Sequence, residues 1–327
     1  MELLEPGPER APFGLRAVTM VARAAEHGLG VPQRAMLNAA QQLVLHTDLD
    51  VDTLPPIEPE ELARHFDDPA LARQLVRGMV AMSLAEGPPS AQQVALVKRF
   101  ADALEVREPA VDVVRRLMRG RMLRFRLSFL RHSHLRRYLR NTRRLMGGIA
   151  PIIRGLLIAR GVLGEDTRTV ERYRALGALP EGTLGREFFR HYTGNGFAFP
   201  GEKDGFPVGA LFHDFGHVLA GYDTSPEGEM KAAAFQAGFT RNDDDDFFTA
   251  LFAILIHTSG INMAPFEMPV LRGRIGQGEL AADVLRALRR GAAMKVDLGD
   301  GWDFWGDVEA PIERVRERFG VPPLQAG

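Results

Sequence analysis

Apolar residues recur every three or four positions along residues 14–27, 34–46, 71–85, 91–104, 110–119 and 169–177. That is the period of a helix with one buried face. Valine-rich alternating runs bounded by turn residues, the mark of strands, are nearly missing. The chain is therefore expected to be all-α. Its 327 residues suggest about two domains, and a composition of 45% hydrophobic and 25% charged residues is ordinary for a globular protein. There is no cysteine, which excludes a disulfide, a thiolate metal site and a cysteine nucleophile.

The charge balance narrows the function classes. Lysine and arginine total 41 against 42 acids, a net charge of −1, without the basic excess of a protein that coats nucleic acid. The opening Met1-Glu-Leu-Leu-Glu-Pro6 has neither the basic nor the apolar region of a secretory signal. The most apolar runs are 149–164, interrupted by Arg154 and Arg160, and 247–256, and both are too short to span a bilayer. A cytoplasmic protein, soluble or peripheral on the inner face of the membrane, is the expectation.

One stretch departs from this balance. From Arg115 to Arg144 there are twelve arginines and no acid, interleaved with residues such as Leu123, Phe125, Leu127, Phe129, Leu130, Leu135, Tyr138 and Leu139. A basic amphipathic helix of this kind can lie on an anionic membrane. It can equally be a connector whose arginines pair with acids elsewhere while their stems cover apolar surface. Contact with a nucleic-acid backbone is a third reading, which the overall charge disfavours.

The residues best suited to chemistry lie between 205 and 230. His213 and His217 stand four apart on one helix face, close enough for their ring nitrogens to share a cation. Asp214, one position round, could ligate beside them or orient a water. Gly221 can end that helix, and Ser225-Pro226 makes a good N-cap and first position for the next. Glu229 then falls in the first turn of a returning helix and folds back toward the histidines. His213, Asp214, His217 and Glu229 form a nitrogen-and-oxygen ligand set for one divalent ion, zinc first, with iron, manganese or magnesium as alternatives. Four protein ligands around a tetrahedral ion make a closed structural site. A larger coordination number, or Asp214 outside the ligand set, leaves a position for water.

Two resemblances follow from these motifs. Val21-Ala-Arg-Ala-Ala-Glu26-His-Gly28 and Val80-Ala-Met-Ser-Leu-Ala-Glu86-Gly87 are two helix, acidic-Gly turn, helix units. They resemble the TerB-like (tellurite-resistance) helical domain over roughly residues 10–108. The spacing His213-Asp214-x-x-His217, eleven residues, Glu229 is similar to the signature of the Coq4 family of ubiquinone-biosynthesis proteins. Leu179-Pro-Glu-Gly-Thr-Leu-Gly-Arg186-Glu-Phe188 upstream resembles that family too. So do Trp302-Asp-Phe-Trp305, Ala310–Arg316 and Phe319–Pro322 downstream, so that the likeness runs over roughly 165–325. It implies a helical domain holding a divalent metal at His213, Asp214, His217 and Glu229. Asp214 is the residue expected to be catalytic. It also implies peripheral membrane attachment and a prenylated ring intermediate as ligand. Decarboxylation and hydroxylation of that ring, or scaffolding of other biosynthetic enzymes, are the implied roles. The expected organisation is a TerB-like module over 1–110, a basic helical connector over 111–145 and a Coq4-like domain over 146–327. A homodimer is compatible with it.

Other residues are assigned around this centre. The run 247–256 is apolar on all sides, hence core or the lining of a prenyl pocket, with Phe252 and Ile256 as substrate contacts. Arg186 is placed either against Glu187 or on an anionic head group. His257 is expected to serve its own helix end. Asp243–Asp246 are expected at a helix N-terminus, and Trp302 and Trp305 as core anchors. The remaining histidines, His191 among them, have no evident ligand partner in the sequence.

Overall fold

A computed structural model describes residues 1–132, 143, 147–241, 245–263 and 270–324. The protein is all-α, with fifteen α-helices and no pairing beyond two isolated bridges among the described residues. Among the described residues, eight helices precede residue 160: α1 (Ala11–Arg23), α2 (Val31–Ala40), α3 (Pro59–Ala63), α4 (Pro69–Ser83), α5 (Ala91–Ala103), α6 (Pro109–Met118), α7 (Met122–His132) and α8 (Ala150–Ala159). Seven follow: α9 (Thr167–Arg174), α10 (Leu184–Asn195), α11 (Leu211–Ala220), α12 (Pro226–Phe239), α13 (Asp245–His257), α14 (Leu280–Ala292) and α15 (Ile312–Phe319). Proline stands in the first turn of many of these helices, where a missing N–H is harmless and its fixed φ suits the helix. Ser90 and Gln93 form a reciprocal capping box on α5.

Two main cores result. The first is built on α1, α4, α5, α6 and α7, with Leu15, Val76, Met79, Phe100, Phe125 and Phe129 buried. It also takes in Phe247, Phe248, Leu251, Leu255 and Ile261 from α13 and the turn after it. The helix that is apolar on all sides is thus buried against the N-terminal helices. The second core gathers Tyr173, Phe188, Tyr192, Phe215, Phe235, Phe304 and Phe319. Trp302 and Trp305 pack against it, Trp302 edge-on to Phe215 at 5.3 Å and Trp305 5.1 Å from Tyr173.

Helix α12 sets the frame for the site. It crosses α14 where Gly238 faces Gly291. A Cβ on Gly238 would stand 2.2 Å from the Leu288 carbonyl, and one on Gly291 1.9 Å from the Phe235 carbonyl. Only backbone without side chains lets the two axes approach this closely.

The basic stretch has a two-sided structure over its described part. On α7, Phe125, Ser128 and Phe129 point into the first core. The opposite face exposes Leu123 (73%) and Leu127 (58%), and Arg119, Arg121, Arg124 and Arg131 are exposed beside it. Helix α8 buries only Ile158 and leaves Ile149 (62%), Ile153 and Leu156 in solvent. Arg136, Arg137, Arg140, Arg144, Leu135, Tyr138 and Leu139 lie outside the described residues, as do Asp243 and Asp244. No described helix is long and apolar enough to cross a membrane.

Candidate metal centre

The helical hairpin expected from the sequence forms. Helix α11 ends at Gly221, in the left-handed conformation at φ +75°. Ser225 then caps α12, its Oγ accepting from the Gly228 N–H at 3.1 Å, with Pro226 at the first helical position. Gly228 has a further role: a Cβ there would meet the Asp223 carbonyl at 2.1 Å, so the connecting loop folds tightly against the first turn. That turn carries Glu229, and the loop aims it back at α11.

Three side chains converge. His213 Nε2 lies 3.3 Å from Glu229 Oε2 and 3.3 Å from His217 Nε2, and His217 Nε2 lies 3.5 Å from Glu229 Oε1. One ligand atom from each falls within 4.8 Å of the others, and this group could hold a metal ion. The other ring nitrogens are occupied. His213 Nδ1 meets Gln236 Oε1 at 3.1 Å, and His217 Nδ1 meets the Tyr222 carbonyl at 3.2 Å. Both partners accept, so each Nδ1 carries the proton in a neutral ring and each Nε2 turns its lone pair toward Glu229. This outer layer of acceptors is the arrangement that orients metal-ligating histidines.

Two nitrogen lone pairs and a carboxylate facing one point require a positive charge between them. In the free protein a proton can supply it. Burial lowers the basicity of His213, but the bond to Glu229 outweighs burial and raises its pKa to about 9. Burial raises the pKa of Glu229, yet the two histidines outweigh it and hold the carboxyl below its usual range. A divalent cation meets the same demand with more charge, and three protein ligands leave positions for solvent or substrate.

Asp214 does not join this group. Its buried carboxylate accepts from the Tyr192 hydroxyl at 2.5 Å, on the side of α11 facing α10. One residue after His213 is about 100° round the helix, so Asp214 faces α10 while the histidines face α12. Burial raises its pKa, against the pull of His213 and Tyr192. The expected set of four therefore closes on three side chains, with Asp214 behind them.

The expected substrate contacts lie in separate places. Arg186 pairs with Glu181 at 3.0 Å and donates to the Gly177 carbonyl, beside Phe189 of the second core. Phe252 packs toward Phe129 of the first core, with ring centroids 6.1 Å apart, and Ile256 is buried. His257 is buried at the end of α13 and outside the three-residue group. Burial lowers its pKa.

Four neighbours of the site were not legible in the sequence: Tyr192, Gln236, the Tyr222 carbonyl and His191. The His191 ring lies 5.6 Å from that of His217. Its Nε2 is buried without a hydrogen-bond partner, and burial, with His217 beside it, lowers its pKa to about 4. Both His191 and Tyr192 sit on α10, whose packing on α11 is a tertiary fact with no local motif.

Comparison with known proteins adds a likeness to a solved structure. No protein-family model matches the chain, and no curated protein matches it. Among solved structures the chain is similar to a protein of Nostoc punctiforme named a "putative ubiquinone biosynthesis protein". The identity is 20% and the TM-score 0.31, over 78% of this chain and 97% of the other. At that level the likeness assigns neither fold nor function, and the site has to be read from its own geometry.

Proposed function

We propose that the chain is a metal-dependent, Coq4-like protein of quinone biosynthesis that acts on a prenylated or otherwise lipophilic aromatic acid at a membrane surface. The observation that carries this reading is the convergence of His213 Nε2, His217 Nε2 and a Glu229 oxygen, with both Nδ1 atoms held by acceptors. Three protein ligands with open positions are the pattern of catalytic rather than structural sites.

His213, His217 and Glu229 would hold the ion, which would supply Lewis-acid polarisation of a carboxylate or phenol oxygen. The protein's own groups do the rest. Gln236 and the Tyr222 carbonyl fix the two rings. Tyr192 holds Asp214 behind them, where its carboxyl supports the positive side of the site without entering the ligand group. The finer reaction implied by the resemblance is replacement of the ring carboxyl by hydroxyl. It releases carbon dioxide, takes the hydroxyl oxygen from water and passes two electrons to an external oxidant such as dioxygen.

Membrane docking belongs to the same proposal. No acid occurs between Asp112 and Glu165, and α7 and α8 expose Leu123, Leu127, Ile149 and Ile153 among the arginines. An anionic bilayer complements both properties and is where a lipophilic acid resides.

The test is to purify the protein, measure its metal content, and assay a polyprenylated phenolic acid for release of carbon dioxide. Glu229→Gln is expected to weaken metal binding about 100-fold or more, since even outer-layer partners of a metal site are worth 10–100-fold. Product formation is expected to fall with it. Undiminished metal binding in Glu229→Gln would remove the site. Metal without turnover would convert the protein into a non-catalytic holder of the lipid for partner enzymes.

A further inference from the structure

A second site lies away from the metal centre. Helices α1, α2 and α4 on one side and α13 and α14 on the other enclose a cavity of about 730 Å³. None of His213, His217 and Glu229 lines it. Its wall is largely aliphatic, with Leu37, Val44, Met82, Ile254, Leu285 and Leu288 facing the space. Close-packed interiors leave few voids larger than a water molecule, and this volume is in the range, roughly 300–1,000 Å³, of sites that enclose an organic ligand.

The polar groups on the wall answer one another. Arg77 holds Glu108 at 2.8 Å and Asp246 at 3.1 Å, and Arg73 reaches Glu108 at 3.1 Å. The N-terminal segment closes one side, where Leu4 donates its N–H to Gln74 Oε1 at 2.8 Å and accepts from Gln74 Nε2 at 2.7 Å. The other ionic groups are engaged or turned outward: the Met1 amino group meets Asp246 at 3.5 Å, Arg241 donates to the Ala292 and Met294 carbonyls, and Glu2 is exposed. What remains facing the space is apolar and suits an uncharged, water-avoiding body. Gly78 marks the opening: it is exposed, and a Cβ added there would meet nothing within 4 Å.

We propose that this cavity binds one long apolar chain, acyl or isoprenoid, with any polar end at the Gly78 mouth. The site owes nothing to the metal centre and stands or falls separately from it. It gives the seam between the N-terminal helices and the α13–α14 pair a ligand of its own.

The experiment uses the full chain and 11-(dansylamino)undecanoic acid, a fluorescent fatty acid, with oleic acid and geranylgeraniol as competitors. Saturable binding of one probe per chain is expected, with less than twofold change between 50 and 500 mM salt. The two competitors report whether an acyl or an isoprenoid chain fits better. Gly78→Phe and Ala81→Phe are expected to weaken the probe tenfold or more, while the same change at Gly155 on α8 leaves it unaltered. Circular dichroism monitors folding of each variant. Should Gly78→Phe or Ala81→Phe unfold, a diazirine-bearing fatty acid on the unaltered chain decides, with label expected on peptides from α2, α4 or α14. The absence of saturable binding, folded variants that bind like the parent, or label confined to other peptides would each overturn the assignment.

Discussion

His213 Nε2 faces Glu229 Oε2 at 3.3 Å, and that pairing sets how the site responds to pH. The folded pKa of His213, about 9, lies above the 6.5 of an unperturbed histidine. Its contribution to stability is therefore full below about pH 6.5 and lost as pH rises through about 9. The Glu229 pKa is lowered, so its contribution is present above the ordinary carboxylate range and lost as pH falls through the depressed value. A metal ion must displace the His213 proton. Zinc affinity is accordingly expected to rise roughly tenfold per pH unit between 6.5 and 8.5. Calorimetry in buffers of different ionisation enthalpy should show about one proton released per ion, and a flat profile would mean that His213 is not a ligand. At this scale the sequence was informative where spacing decides the matter. Two histidines four apart and a capped turn are local, and they locate the three converging side chains. Asp214 is placed with them by its adjacency to His213 and by the family resemblance. Its actual partner, Tyr192, is 22 residues away and reaches it only through the packing of α10 on α11.

The crossing of α12 and α14 is the element on which the centre hangs. Gly238→Val would drive a branched side chain into the Leu288 carbonyl. The expected loss is about 3 kcal/mol or more of stability, because overpacking at a rigid backbone contact has no easy relief. Thermal unfolding measures it, and metal affinity should fall too, since Glu229 rides on α12. An unchanged melting temperature would show that the helices can separate without harm. On α7, Leu123→Asp with Leu127→Asp should leave folding intact, because both side chains are exposed. Binding to vesicles of anionic lipid is expected to drop about tenfold or more, with the parent's binding sensitive to salt. Equal binding of parent and variant would detach this face from the membrane. Helix existence and ends were readable because caps, prolines and glycines are local signals. The destination of α13 was not. A segment apolar on every side announces burial but not which core receives it.

At the scale of the whole molecule, a buried ion cluster joins the first core to α13. Arg77 spans Glu108 and Asp246, and all three are buried. Arg77→Met removes one partner and leaves two carboxylates without it, a loss expected to be about 3–5 kcal/mol. Urea unfolding followed by tryptophan fluorescence reports the second core, which holds both tryptophans, and circular dichroism reports every helix. The two transitions should move together in the variant. A fluorescence transition that stays put would mean that the two cores unfold independently. Nothing in the residue pattern near 77 or 246 shows that they meet, since the contact spans 169 residues.

The sharing of α13 also has a temporal side. The N-terminal bundle is short of Phe247, Phe248, Leu251, Leu255 and Ile261 until those residues have left the ribosome. At translation rates of about 5–20 residues per second, the gap after α7 lasts on the order of ten seconds. Through that interval the nascent chain carries an unsealed greasy seam next to its arginine-rich stretch. Cells making this protein have reason to keep a chaperone, or a membrane, close at hand during its birth.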